Sequence, residues 1–203
     1  MRIGIIGVGN VGGGLAAALS KAGHEVVVAA SAAENAREAA ARLDSRPAAS
    51  VADAARDAEA LILAVPADAH AELADLIEPH VAGKPIIDVS NGPQAVESGR
   101  SLAEDLAQRL PEAHVVKAFN TIFASRLAEP VDADQPLDGY LAGDDADAKA
   151  MVAGLVADVG LEPMDVGDLQ MARVLEGMAW LNISLTMANS WSWRSGWKLH
   201  RAA

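Results

Sequence analysis

Ile3-Gly4-Ile5-Ile6-Gly7-Val8-Gly9-Asn10-Val11-Gly12 begins as an apolar run and ends in a glycine-rich turn. A short run hydrophobic at successive positions is the pattern of a strand covered on both faces. Val11 to Ala22 then reads as a helix that Gly23 closes. Strand, glycine turn and helix, opening a ~30-residue βαβ unit, form the context in which such glycines bind a dinucleotide. Gly7 permits the tight turn, Gly9 lets the backbone approach a pyrophosphate, and Gly12 lets helix and strand pack closely. The N–H groups near Asn10 and Val11 point at the phosphates, reinforced by the helix dipole.

Outward from this unit the alternation continues. Glu25–Ala30, Leu61–Val65, Ile86–Val89 and His114–Ala118 read as buried strands. Ala33–Leu43, Asp68–Ile77 and Ser101–Leu110 read as the helices between them. The pattern predicts a Rossmann-type doubly wound α/β fold with a mostly parallel sheet. A soft boundary near Ala128–Pro136 divides a dinucleotide-binding domain, residues 1–128, from a small α/β extension, residues 129–203. The extension holds a strand at Gly139–Ala142, a helix at Asp145–Val159 and a strand at Glu162–Val166. A long final helix follows, which Asp168 is placed to cap, with Val174, Leu175, Met178, Leu181 and Leu185 at helical spacing. All four tryptophans lie after residue 179.

Composition limits the function classes. The formal net charge is −12, with Lys and Arg spread along the chain, so no basic patch suits a nucleic acid. There is no cysteine, which excludes disulfides, thiolate metal sites and cysteine nucleophiles. No apolar run approaches the ~18 residues of a membrane span, and the first strand leaves no room for a leader. The expectation is a soluble, cytoplasmic protein. His24, His70, His80, His114 and His200 are scattered, read as surface residues, and no metal is expected.

The cofactor type turns on the end of the second strand, where an NAD site carries an acid for the ribose 2′-hydroxyl. Ala29-Ala30-Ser31-Ala32-Ala33 has none, which favours NADP, with Ser31 as a donor to the 2′-phosphate. Ser31-Ala-Ala-Glu34 also fits a helix capping box, so Ser31 has a second reading as an N-cap.

The opening stretch, Ala64-Val65-Pro66, Ile87-Asp-Val-Ser-Asn91 and Val116-Lys-Ala-Phe-Asn-Thr121 together resemble the deazaflavin-coenzyme (F-420)-dependent NADP reductase family. Reductase domains of membrane metalloreductases share the last motif. The resemblance implies a dimeric Rossmann protein that moves hydride between NADP(H) and a flavin-like partner. It implies that Gly7 to Gly12 hold the pyrophosphate and Ser31 the 2′-phosphate. Ala64, Val65 and Pro66 would line the adenosine side; Ser90, Asn91, Phe119 and Asn120 would lie near the nicotinamide. Where the family commonly has Arg after the serine, this chain has Ala32.

Hydride transfer asks the protein to align two rings, with no acid–base constellation. The one tyrosine, Tyr140, has no Tyr-x-x-x-Lys around it. Lys117 has two readings, as a donor to a substrate oxygen or as a stem covering the sheet edge. The leading reading is an NADP(H)-dependent oxidoreductase acting on a deazaflavin, a flavin or another small acceptor. The alternatives are a carbonyl or imine reductase using Lys117 and an NADPH-binding redox sensor without turnover. The Trp-rich tail, Trp191 to Trp197, is read as part of a homodimer interface or as a platform for a flavin-like ring.

Overall fold

A computed structural model describes residues 1–92 and 99–200. Its core is one eight-stranded sheet in the order β10-β9-β6-β5-β4-β1-β2-β3. The strands are β1 (Arg2–Ile6), β2 (Glu25–Ala29), β3 (Arg46–Pro47), β4 (Ala60–Leu63), β5 (Pro85–Asp88), β6 (His114–Ala118), β9 (Asp138–Gly143) and β10 (Glu162–Asp165). β3, β2, β1, β4, β5 and β6 pair in parallel, while β9 runs antiparallel to β6 and β10 runs parallel to β9. The sheet is therefore mostly parallel and doubly wound, as the sequence indicated. The segment after residue 136 extends this same sheet.

Seven helices among the described residues cover it: α1 (Asn10–Lys21), α2 (Ala33–Arg42), α3 (Val51–Asp57), α4 (His70–Ile77), α5 (Leu102–Arg109), α6 (Ala146–Asp158) and α7 (Ala172–Ala188). Alternate side chains of each central strand enter opposite cores. Ile3, Ile5, Ile62, Ile87 and Val116 pack with Leu15, Leu19, Val152 and Leu155 of α1 and α6. Ile6, Leu61, Leu63, Ile86 and Val115 pack with Ala55, Ala74, Ile77 and Leu106 of α3, α4 and α5. Each such aliphatic side chain contributes about 1.5–3 kcal/mol when fully buried.

Several local devices differ from the sequence reading. α3 was not anticipated, although Ser50 caps it by accepting from Asp53 N–H at 3.1 Å. Ser101 and Glu104 form a capping box at the start of α5. No such box forms at Ser31: α2 is capped by Ala32, without a side-chain bond. The boundary near 128–136 is a hairpin of β7 (Val131–Asp132) and β8 (Gln135–Pro136), turned by Ala133 and Asp134 at φ 46° and 64°. Two positive φ values at the central residues match the twist of a two-residue hairpin. Asp168 precedes a 3₁₀ turn leading to α7 and makes no capping bond with its side chain.

α7 also turns a different face inward from the one expected. It buries Ala172, Leu175, Glu176, Ala179, Asn182 and Thr186, whereas Val174, Leu181 and Leu185 are 50%, 50% and 38% exposed. The apolar spacing marked a real stripe, but most of it points away from the chain's own core. After α7 the tail folds back over β9. Asp138 N–H donates to the Trp197 carbonyl at 3.0 Å, and the Asp138 carboxylate receives Tyr140 Oη, Lys198 Nζ and Leu199 N–H. Among the described residues no helix is long and apolar enough to cross a membrane.

Candidate dinucleotide site

The glycine turn sits where the strand order reverses: β2 lies on one side of β1 and β4 on the other. Open α/β sheets bind ligands in the crevice at this switch point. Gly7 takes φ +100°, and a Cβ there would meet the Ala64 carbonyl oxygen at 2.2 Å. A Cβ on Gly12 would lie 1.9 Å from the Gly7 carbonyl oxygen. Gly9 is different, because nothing lies within 4 Å of a Cβ placed on it. It caps α1 with backbone alone, so no cap side chain occupies the first-turn N–H groups of the helix. Two glycines thus serve packing, and one keeps a space clear.

Beside the turn, a cleft of about 470 Å³ lies at the carboxyl ends of β1, β2 and β4. Ile6, Ala30, Ser31, Ala36, Val65 and Leu73 are among its walls. Ser31 is exposed and makes no side-chain hydrogen bond among the described residues. The acid lining this cleft, Glu72, comes from α4 and not from the end of β2. Ala64 and Val65 are half-buried beside Gly7, and Pro66 starts the 3₁₀ turn before α4.

At the ends of β5 and β6 the structure brings Ser90, Asn91 and Asn120 together. Asn91 Nδ2 donates to the Asn120 carbonyl at 2.8 Å, and Asn120 Nδ2 donates to Asn91 Oδ1 at 2.9 Å. Asn120 is 4% exposed, and its Oδ1 has no partner among the described residues. A buried amide oxygen without a donor costs about 1–3 kcal/mol. Phe119 reaches the site through its backbone: its ring is buried in the core, and its φ of +59° turns the chain so that Asn120 meets Asn91. For a bulky aromatic this conformation is strained, and such strain gathers at functional sites. The loop beyond packs on α1, since a Cβ on Gly14 would touch Leu127 Cδ1 at 2.9 Å. Trp193 of the tail stacks edge-on against Phe123, with centroids 5.2 Å apart.

Lys117 fits neither of its sequence readings. It lies in the middle of the sheet, fully buried, and its Nζ donates to Asp88 Oδ2 at 2.9 Å, to the Ser90 carbonyl at 2.6 Å and to Glu176 Oε1 at 2.7 Å. All three ammonium donors are taken, leaving none for a substrate oxygen. Burial pushes the Asp88 carboxyl up, but the Lys117 ammonium, His70 and the Ser90 hydroxyl outweigh it and hold the group below its ordinary range. Burial dominates at Glu176 and raises its carboxyl despite Lys117. His70, expected at the surface, is buried with Nε2 3.8 Å from Asp88 Oδ1, and burial holds it below its ordinary value.

Sequence reasoning missed Asp88 and Glu176. The first was legible, because Asp88 and Lys117 interrupt two apolar strands and pair in register. Glu176 lies 59 residues from Lys117 in the chain, on a helix with no comparable signal. Among the described residues no cluster of three or more His, Cys, Asp or Glu side chains could hold a metal ion.

The model of the family described as NADP oxidoreductase, coenzyme F420-dependent, matches residues 2–92. The F420-dependent NADP reductase of Methanothermobacter marburgensis is 33% identical over 214 aligned residues, covering 93% of this chain and 94% of that protein. The chain belongs to this family. Rat Metalloreductase STEAP3 is 32% identical over 193 residues, covering 94% of this chain, which spans only 38% of the metalloreductase's length. A crystal structure of a candidate F420-dependent NADP-reductase from Arthrobacter sp. FB24 superposes with a TM-score of 0.86 at 28% identity, covering 99% of this chain and all of that one. This member of the coenzyme F420-dependent NADP oxidoreductases therefore shares the fold of that structure along its whole length.

Proposed function

We propose that this oxidoreductase binds NADP(H) across the glycine turn and aligns the nicotinamide, at the ends of β5 and β6, for hydride transfer with a flavin-like or other small acceptor. The observation that carries this reading is the buried, unpartnered Oδ1 of Asn120. The carboxamide N–H₂ of a nicotinamide is a donor of the kind that atom lacks. The clear space over Gly9 and the open first turn of α1 suit a pyrophosphate. The Ala-lined cleft beside Ser31 suits an adenosine, and the lack of an acid at residues 29–33, where β2 ends, favours a 2′-phosphate. When bound, the nicotinamide supplies the hydride; the chain's own part is to hold the phosphates and fix the ring plane through Asn91 and Asn120.

The same reading includes a homodimer. Val174, Trp180, Leu181, Leu185, Met187 and Trp191 leave an apolar surface along α7 and the start of the tail, more than a small monomer usually exposes.

The deciding experiment follows NADPH oxidation with deazaflavin, flavin, carbonyl and imine acceptors, comparing wild type with Asn120→Ala. Losing one orienting hydrogen bond weakens such an interaction by about 1 kcal/mol, a several-fold fall in turnover. NADPH binding without turnover on any acceptor would overturn the hydride-transfer reading.

A further inference from the structure

Ser90 is fixed from both sides. Its N–H and hydroxyl donate to Asp88 Oδ1 at 2.9 and 2.6 Å, and its carbonyl accepts from Lys117 Nζ at 2.6 Å. Asp88 and Lys117 stand opposite each other in the β5–β6 ladder, both fully buried. Asn91 follows Ser90 directly, and Asn120 follows Lys117 by three residues, across the turn that Phe119 makes at φ +59°. The buried pair thus underlies both halves of the Asn91–Asn120 exchange. Its third member, Glu176, reaches in from α7 and also accepts the Leu102 N–H at 2.9 Å.

A buried charge cluster of this kind is a poor way to gain stability. Well-packed apolar replacements of similar volume are often neutral or stabilising, because the ions must be stripped of water. What the charges supply and methyl groups cannot is direction: three polar atoms of Ser90 are held at once, by charge-assisted bonds. Resting on the cofactor placement proposed above, we infer that Asp88, Lys117 and Glu176 are positioning residues, which fix the nicotinamide plane through Ser90, Asn91 and Asn120 and make that alignment depend on the docking of α7.

The test uses the full chain. Lys117→Met alone leaves two buried carboxyls facing no cation, so the main variant is Asp88→Asn/Lys117→Met, which removes both charges of the ladder pair, keeps the volumes and leaves Glu176 with the Leu102 N–H as its donor. NADPH affinity, read by fluorescence titration, stays near wild type because the glycine turn holds the phosphates. Turnover falls by roughly a hundredfold, the scale of a small misplacement of reacting groups, with little change in acceptor KM. Deuterium transfer from NADPH labelled at either C4 position loses its preference for one face, and the fluorescence lifetime of bound NADPH reports a looser ring without any acceptor. Glu176→Leu leaves the Asp88–Lys117 pair intact and cuts its tie to α7, along with the bond from Leu102 N–H; it moves the same readouts in the same direction by less, and decides the matter if the double variant does not fold. Wild-type lifetime, facial preference and turnover in the folded variants overturn the inference while leaving the cofactor reading in place. A wild-type protein that binds no NADPH overturns both.

Discussion

The carbonyl oxygen of Gly7 lies where a side chain on Gly12 would have to go, 1.9 Å from its Cβ position. Gly9, between them, has open space on its side-chain face and an ordinary φ of −70°. The two glycines should therefore fail differently. Gly12→Ala forces β1 and α1 apart and should cost about 1–3 kcal/mol or more, as overpacking does. Gly9→Val should melt near wild type yet lose NADPH, because its side chain fills the phosphate space. Thermal melts alongside NADPH titration separate the two; unchanged NADPH affinity in Gly9→Val would sink the phosphate assignment.

Ser31 is released from helix capping, since α2 begins at Ala33 with Ala32 as its N-cap. Its hydroxyl is therefore free for a 2′-phosphate. NADPH should bind more tightly than NADH, and Ser31→Asp should reverse the order by repelling the phosphate and accepting from the ribose hydroxyl. Titration of both proteins with both cofactors checks it, and a wild type that prefers NADH contradicts it.

Lys117→Met would be mild if the stem merely covered apolar surface. The structure gives another expectation. Removing the cation leaves the Asp88 carboxylate buried opposite Glu176 without compensation, and breaking such a pair costs about 3–5 kcal/mol. Denaturant unfolding should show this loss in the apo protein, whatever the acceptor turns out to be.

The Arg173 guanidinium, bonded to both carboxylate oxygens of Glu104 at 2.8 and 2.6 Å, holds that carboxyl down at about 2. A depressed folded value means stability that is present above the ordinary 4.5 and lost as pH falls from there toward about 2. Arg173→Met should flatten this limb when unfolding is measured across that range. The pair is partly exposed, so the effect should be modest. His70, held below 6.5 by burial, starts its own loss as pH falls below that value, and comparing the two proteins cancels it.

Leu181 and Leu185 stand 50% and 38% exposed on the outer stripe of α7. If this stripe joins two copies, Leu181→Glu/Leu185→Glu should run as a monomer in light scattering while keeping the wild-type melting profile of its own core. A wild-type protein that is already monomeric at micromolar concentration rules the dimer out.

Much of this molecule was legible in its sequence. The alternation of doubly apolar runs with helical stretches is local and periodic, so β1, β2, β4, β5 and β6 and the glycine turn could be read directly. Asn91 and Asn120 could be marked because the motifs that carry them resemble the family's, and they fall just past strand ends, where such sheets bind ligands. What the tertiary structure decided was which side chains meet. Only packing showed that β9 enters the sheet antiparallel to β6, that α7 turns its marked apolar stripe outward, and that Glu176 reaches Lys117 across 59 residues. A buried charge is tolerated only where opposite charges and donors converge on it, and that convergence is a property of three-dimensional neighbours, which periodicity along the chain does not encode.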